Sequence, residues 1–150
     1  MKLSNDLIEN AILKIDLDAY IDVFLERMWL MKYLGLDIRK IEAYKTNQGY
    51  HLYIYTSNTL NKLEILLFEQ ILGDDHRRAA YNYLRIKSNA RNFDPLYSRK
   101  YKLNRLGEIE QVSEEKYLPE LTEKITEFYL SETSEKLTIL ALGGEIHETD

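Results

Sequence analysis

Cysteine is absent from the 150-residue chain, and proline (two residues), tryptophan (one) and histidine (three) are scarce. Without cysteine, disulfides and thiolate metal sites are excluded. Any metal must be held by carboxylates, histidines or backbone oxygens, which points to Mg²⁺ or Mn²⁺ ahead of zinc. No run of eighteen apolar residues occurs, so no membrane-spanning helix is expected. Met1 to Asn10 lack the basic-then-apolar pattern of an export signal, so the expectation is a soluble, cytoplasmic protein. Internal repeats and low-complexity linkers are also missing. With 45% apolar residues the chain has enough to bury one core of ordinary size, and a single domain over 1–150 is expected.

What the chain has is a strong charge asymmetry. Its net charge is −5, yet His76 to Arg105 holds nine basic residues (Arg77, Arg78, Arg85, Lys87, Arg91, Arg99, Lys100, Lys102, Arg105) against one acid, Asp94. From Glu108 onward acids dominate, among them Glu114, Glu115, Glu120, Glu123 and Glu127. The position of charge matters more than its sum, so the middle is a candidate polyanion surface and the tail is not.

Leu13, Ile15 and Leu17 alternate with Lys14, Asp16 and Asp18, the period-two pattern of a strand over 11–18 that puts Asp16 and Asp18 on one face. Ile21, Phe24, Leu25, Met28 and Met31 have helical spacing over 19–34, and Gly35 stands where a helix stops. Ile38 to Tyr44 and Tyr50 to Tyr55 read as strands joined across Asn47-Gln48-Gly49, a turn whose glycine is free to take positive φ, with His51 pointing the same way as Tyr53 and Tyr55. A second helix runs from Asn58 or Thr59 to Leu72, with Leu60, Leu63, Leu67 and Ile71 inward. A third starts near His76, capped by Asp74 or Asp75. A hairpin over 97–112 turns around Asn104 to Gly107. Pro119 opens a last helix, about 117–131, carrying Leu121, Ile125, Phe128 and Tyr129, and residues 143–150 fray. The expected class is α+β: a ferredoxin-like or RNA-recognition-like β-α-β-β-α core, within about 11–112, followed by a hairpin and a helix.

Three constellations carry chemistry. Asp16 and Asp18, two residues apart at a strand end, are close enough to share divalent cations of the kind that activate a hydroxyl and shield phosphate. The turn from Lys45 to His51 presents a lysine, backbone N–H groups and a histidine suited to phosphate. Asp74 or Asp75 offers a third carboxylate, followed by Arg77, Arg78, Arg85 and Lys87; Arg78 and Arg85, two helical turns apart, fit one phosphate-gripping face. Each has a plainer alternative: a helix cap at Asp18, an ordinary hairpin with a polar rim, and a capped helix with solvated arginines. Twelve tyrosines, Tyr81, Tyr83, Tyr97 and Tyr101 among the basic residues, add surfaces for stacking on unpaired bases.

Taken in order, the aspartate pair ending a hydrophobic strand, the helix closed by Leu34-Gly35-Leu36, the Lys45-Thr-x-x-Gly49-aromatic-His51 turn and a later aspartate resemble the archaeo-eukaryotic primase (primase-polymerase) superfamily over about Ile12 to Lys100. The resemblance implies catalytic metals on Asp16 and Asp18, completed by Asp74 or Asp75, and nucleotide phosphates held by His51 with Lys45 helping. The chain departs from that pattern in having Tyr50, not serine, before the histidine. Little chain precedes Asp16, so the expectation is a minimal or degenerate palm without the extra N-terminal subdomain. Abundant Ile, Lys, Asn and Tyr also resemble small proteins of viruses or plasmids of thermophilic archaea, where the host cytoplasm would be the location.

The function expected is nucleic-acid binding, to DNA or RNA with a nucleotide as a further ligand, and Mg²⁺- or Mn²⁺-dependent nucleotidyl transfer in replication of a mobile element. Template would lie on Arg77, Arg78, Arg85, Lys87, Arg91, Arg99 and Lys100. The alternatives are a metal-dependent nuclease using the same carboxylates, a non-catalytic DNA-binding accessory or regulator, and a protein-interaction role in which the acidic C-terminal helix covers the basic segment in a homodimer.

Overall fold

In the computed structural model, which describes residues 7–130, a two-residue strand β1 (Leu7–Ile8) precedes β2 (Ile12–Leu17), the strand expected from the alternation. The chain continues through α1 (Ile21–Arg27), α2 (Leu30–Tyr33), β3 (Ile38–Lys45), β4 (Tyr50–Thr56), β5 (Leu60–Asn61), α3 (Lys62–Ile71) and α4 (His76–Lys87). It ends with β6 (Arg99–Leu103), β7 (Ile109–Glu114), β8 (Lys116–Tyr117) and α5 (Pro119–Phe128). The class is α+β. The main sheet has the order β2-β4-β3-β8, all pairs antiparallel, so the expected β-α-β-β-α order places β4 in the middle. The frayed tail expected at 143–150 and the last residue of the C-terminal helix expected to reach 131 lie outside the described residues.

The register explains the core. Leu13 pairs with Ile54 and Ile15 with Leu52, while Ile41 and Ala43 flank the same two residues from β3. All six are buried, together with Phe24, Met28, Met31, Ile65, Phe68 and Ile125 from the helices. Each fully buried aliphatic or aromatic side chain of this kind contributes roughly 1.5–3 kcal/mol. The opposite face carries Lys14, Asp16, His51, Tyr53 and Tyr44, with Asp16 directly opposite His51 and Tyr44 on its other side.

Three sequence expectations shift. The single helix over 19–34 divides, because Met28 N–H bonds to the Leu25 carbonyl and Met31 N–H to that of Met28, tighter i→i−3 turns that keep both methionines inward. It closes as foreseen: Gly35, at φ +73°, bonds Lys32 O and Leu36 N–H bonds Met31 O, a Schellman ending. In α3 the buried stripe is Ile65, Phe68, Glu69 and Leu72, whereas Leu67 is exposed. A carboxylate in that stripe breaks the apolar pattern, which is why the inward face was misplaced. Finally, Gly49 is absent from the positive-φ glycines; its constraint is space. A Cβ there would lie 2.0 Å from the Leu17 carbonyl oxygen and 3.1 Å from Asp18 Cα. The turn therefore presses against the end of β2, where Asp16 and Asp18 are presented. Gly49→Ala is expected to destabilise the fold by about 1–3 kcal/mol, measured by urea denaturation.

The β6–β7 hairpin turns at Asn104 to Gly107 as expected. The Asn104 side chain accepts from Leu106 and Glu108 N–H, and Gly107 adopts φ +78°.

Candidate cation and nucleic-acid site

Among the described residues no further strand pairs with the outer edge of β2, and its backbone groups are met by side chains and by the α3–α4 corner. Glu69 Oε2 accepts from Lys14 N–H at 2.6 Å and Asp74 Oδ1 from Asp16 N–H at 2.8 Å. Arg78 Nη1 donates to Lys14 O at 2.9 Å, and Asp75 N–H to Asp16 O at 2.9 Å. An open strand edge carries unmet donors and acceptors, so this arrangement both satisfies the edge and fixes where the corner sits.

One consequence is a triad. Asp16 is the penultimate residue of β2, Asp18 follows the strand, and Asp75 caps α4 by accepting from Arg77 N–H at 3.3 Å. Each of the three offers a carboxylate oxygen, all within 4.8 Å of one another. Burial and the Asp18 carboxylate raise the pKa of Asp16, with His51 and Lys100 pulling the other way. Crowded carboxylates that resist ionising together are what a divalent cation relieves.

Asp74 is excluded from the triad, against the expectation that it competes with Asp75 as a metal ligand. It is buried and its Oδ2 holds Arg78 Nη1 at 2.9 Å. Arg78 is corrected with it. Its guanidinium is spent on Asp74, on Asp94 Oδ1 at 2.5 Å, on Glu69 at 3.5 Å and on the carbonyls of Lys14 and Pro95, so it has no phosphate to grip. The α4 face was misjudged by one residue. Arg78, Asn82 and Ile86 point inward, whereas Arg77, Tyr81 and Arg85, four residues apart, share the outward face.

The turn residues are also placed differently from the expectation. Lys45 Nζ donates to Gly49 O at 3.1 Å and lies over the Tyr50 ring, at 4.7 Å from its centroid. His51 is 2% exposed. Its Nδ1 donates to Glu115 Oε2 at 2.7 Å, an oxygen that also accepts from Tyr53 Oη at 2.8 Å. Its Nε2 faces Asp16 Oδ1 at 3.6 Å and has no hydrogen-bond partner among the described residues. Sequence reasoning missed Glu115 because it sits in an acidic stretch far along the chain, with no periodic signal to mark it. Glu69 escaped notice for a similar reason.

Beside the triad opens a recess of about 380 Å³. Asp16 and Asp75 form its acidic part, Arg77, Arg85, Lys100 and the ion-paired Arg78 its cationic part, and Tyr81, Pro95, Leu96 and Tyr97 its apolar wall. Arg85 Nη1 is steadied by Asn82 Oδ1 at 2.8 Å. Lys87 and Arg91 are exposed outside this lining, and Arg99, also exposed, pairs with Glu114 at 3.1 Å.

The buried charges give a pH dependence with a definite sign. Burial, and then the Asp94 carboxylate, push Glu69 well above the ordinary carboxylate range; burial pushes Asp74 up to about 6 despite Arg78. An acid whose folded pKa exceeds its unfolded value contributes stability present below the unfolded pKa and lost as pH rises through the folded one. For Asp74 the window runs from the ordinary 3.8 to about 6, with a slope of at most about 1.4 kcal/mol per pH unit per proton. Melting temperature is therefore expected to rise on acidification from pH 7.5 towards 5, and Glu69→Gln, which imitates the protonated acid, should flatten part of that rise.

The chain is 30% identical over 105 residues to "Uncharacterized protein 30" of Sulfolobus islandicus filamentous virus (isolate Iceland/Hveragerdi), a match covering 61% of this chain and 39% of that protein. The chain thus spans about two fifths of the length of this relative. No family model matches the chain, and no solved structure matches it significantly. Among the described residues no helix is long and apolar enough to cross a membrane.

Proposed function

We propose that this is a nucleic-acid-binding protein of a mobile element whose Asp16, Asp18 and Asp75 hold Mg²⁺ or Mn²⁺ for nucleotidyl transfer of the primase-polymerase kind. The observation that carries the reading is the meeting of three carboxylates from two separate parts of the chain, within 4.8 Å, beside a recess lined by four basic side chains, of which Arg77, Arg85 and Lys100 lie outside the buried ion-pair network. The buried and unpartnered Nε2 of His51, facing Asp16, is a second and independent reason to read the cluster as a ligand site. A divalent cation there would polarise a phosphate oxygen and ease deprotonation of the attacking hydroxyl. The protein's own part would be positioning and charge neutralisation. Similarity to a protein of an archaeal virus supports the viral setting, and with it the host cytoplasm.

The test is incorporation of labelled dNTP or NTP on primed and single-stranded templates with Mg²⁺ or Mn²⁺. Extension by the parent and its loss in Asp16→Asn/Asp18→Asn is the expected result. Shortening of DNA with Mg²⁺ and no nucleotide would replace this reading with a nuclease using the same carboxylates. Salt-sensitive binding without either reaction, unchanged in the double variant, would leave a non-catalytic binding protein.

A further inference from the structure

The geometry points to the recess beside Asp16 and Asp75 as a subsite for one unpaired nucleotide of a single strand, its base against Tyr81 and Tyr97 and its phosphate on Arg77, Arg85 and Lys100. The inference rests on the function proposed above and makes it more specific. It also moves phosphate contact away from Lys45 and His51, which are committed to Gly49 and Glu115.

Two features of the recess select this ligand. Its volume, about 380 Å³, lies at the small end of ligand pockets and suits a single nucleotide unit. Its lining is divided by chemistry. Arg77 and Arg85 come from the outward face of α4 with Tyr81 between them, four residues from each, so one helix face presents cation, ring, cation. Lys100 of β6 and Tyr97, just before that strand, complete the lining. A ligand must therefore offer anionic charge and a flat apolar face together, as a nucleotide does and inorganic phosphate or an aliphatic acid does not.

A free nucleotide and an unpaired residue of a strand share that chemistry, and the surroundings favour the strand. Tyr81 and Tyr97 are 59% and 61% exposed, so the ligand stays open to solvent on the base side and the chain can continue beyond it. Exposed Lys87, Arg91 and Lys102 extend the positive charge past the recess, where only a flanking phosphate backbone can use it.

The experiment measures binding in Ca²⁺, which restrains turnover, by anisotropy of end-labelled oligonucleotides and calorimetry with dAMP and dATP. The parent should bind a single-stranded 12-mer more tightly than a blunt duplex or either mononucleotide. Tyr81→Ala and Tyr97→Ala should each weaken the 12-mer about tenfold, Tyr81→Phe and Tyr97→Phe should keep it within about twofold, and Arg85→Ala with Lys100→Ala should reduce the salt slope by about two. Both tyrosines are exposed, and the Phe variants separate stacking from folding. Binding of the 12-mer by Tyr81→Ala and by Tyr97→Ala equal to that of the parent, or equal binding of duplex and single strand, overturns the proposal. Mononucleotides matching the 12-mer also overturn it, assigning the recess to a free nucleotide. A direct Mn²⁺ titration keeps the two readings apart. Metal binding without tyrosine-dependent strand binding defeats this inference alone, whereas absent metal binding with intact strand binding defeats the catalytic reading alone.

Discussion

Replacing Arg78 with methionine is expected to lower the unfolding free energy by about 3–5 kcal/mol, the cost of leaving buried charge without its partner. The guanidinium is 8% exposed and stands among three buried acids, Glu69, Asp74 and Asp94. It also donates to the Lys14 and Pro95 carbonyls, tying the edge of β2 to α4 and to the loop that precedes β6. Methionine fills much of the volume but satisfies none of these groups, and a domain of this size has a total stability of only about 5–15 kcal/mol. In urea denaturation followed by circular dichroism the midpoint should fall steeply with the slope unchanged. Arg77→Met, one residue away on the outward face, should change stability by no more than about 0.5 kcal/mol. The deficit of Arg78→Met should also shrink towards pH 5, as Glu69 and Asp74, both raised by burial, take up protons. An unchanged midpoint would mean that the acids are already neutral in the folded protein and that the arginine holds nothing together.

This network marks the boundary of what the sequence discloses. Strands and helices written in apolar periodicity were legible: β2 from its alternation, the β3–β4 pair, the Schellman ending at Gly35, the Asn104 to Gly107 hairpin, and the Pro119 start of α5 with Ile125 and Tyr129 inward. Glu69, Arg78 and Asn82 are polar residues in buried positions, and a hydrophobic pattern counts each as surface. Both helix faces that were misjudged, α3 and α4, contain them. The site was legible in part for the same reason. Asp16 and Asp18 announce themselves as an alternating pair on a strand, but whether Asp74 or Asp75 joins them depends on which one Arg78 takes. That choice is settled by a salt bridge inside the fold, with no local signal. His51 was found from its motif, whereas its partner Glu115 comes from 64 residues further on and enters only through tertiary structure. Gly49 was noticed for the wrong freedom, since a close approach between two backbones leaves no trace in the sequence of either.

The second large effect expected is on cation affinity, and its pattern across four aspartates distinguishes a built site from crowded acids. Asp16→Asn should weaken Mn²⁺ binding on the order of 100-fold, since it removes the most buried ligand and a full charge from a three-carboxylate set. Asp18→Asn and Asp75→Asn should weaken it comparably, the latter with little change in stability because asparagine caps a helix about as well as the Asp75 it replaces at α4. Asp74→Asn should leave affinity within about fivefold, because that carboxylate faces Arg78 and its remaining oxygen still accepts from Asp16 N–H. Stability should move the other way at Asp18. It is exposed, and its charge raises the pKa of Asp16, so in the metal-free protein Asp18→Asn relieves repulsion and should raise the melting temperature slightly. Added Mn²⁺ should then stabilise the parent by mass action, by about 2.7 kcal/mol at a hundred times its dissociation constant, and the variant far less. A residue whose removal stabilises the empty protein while abolishing its response to metal is held in place by function. If Mn²⁺ shifts parent and Asp18→Asn equally, the three carboxylates share a surface without sharing an ion.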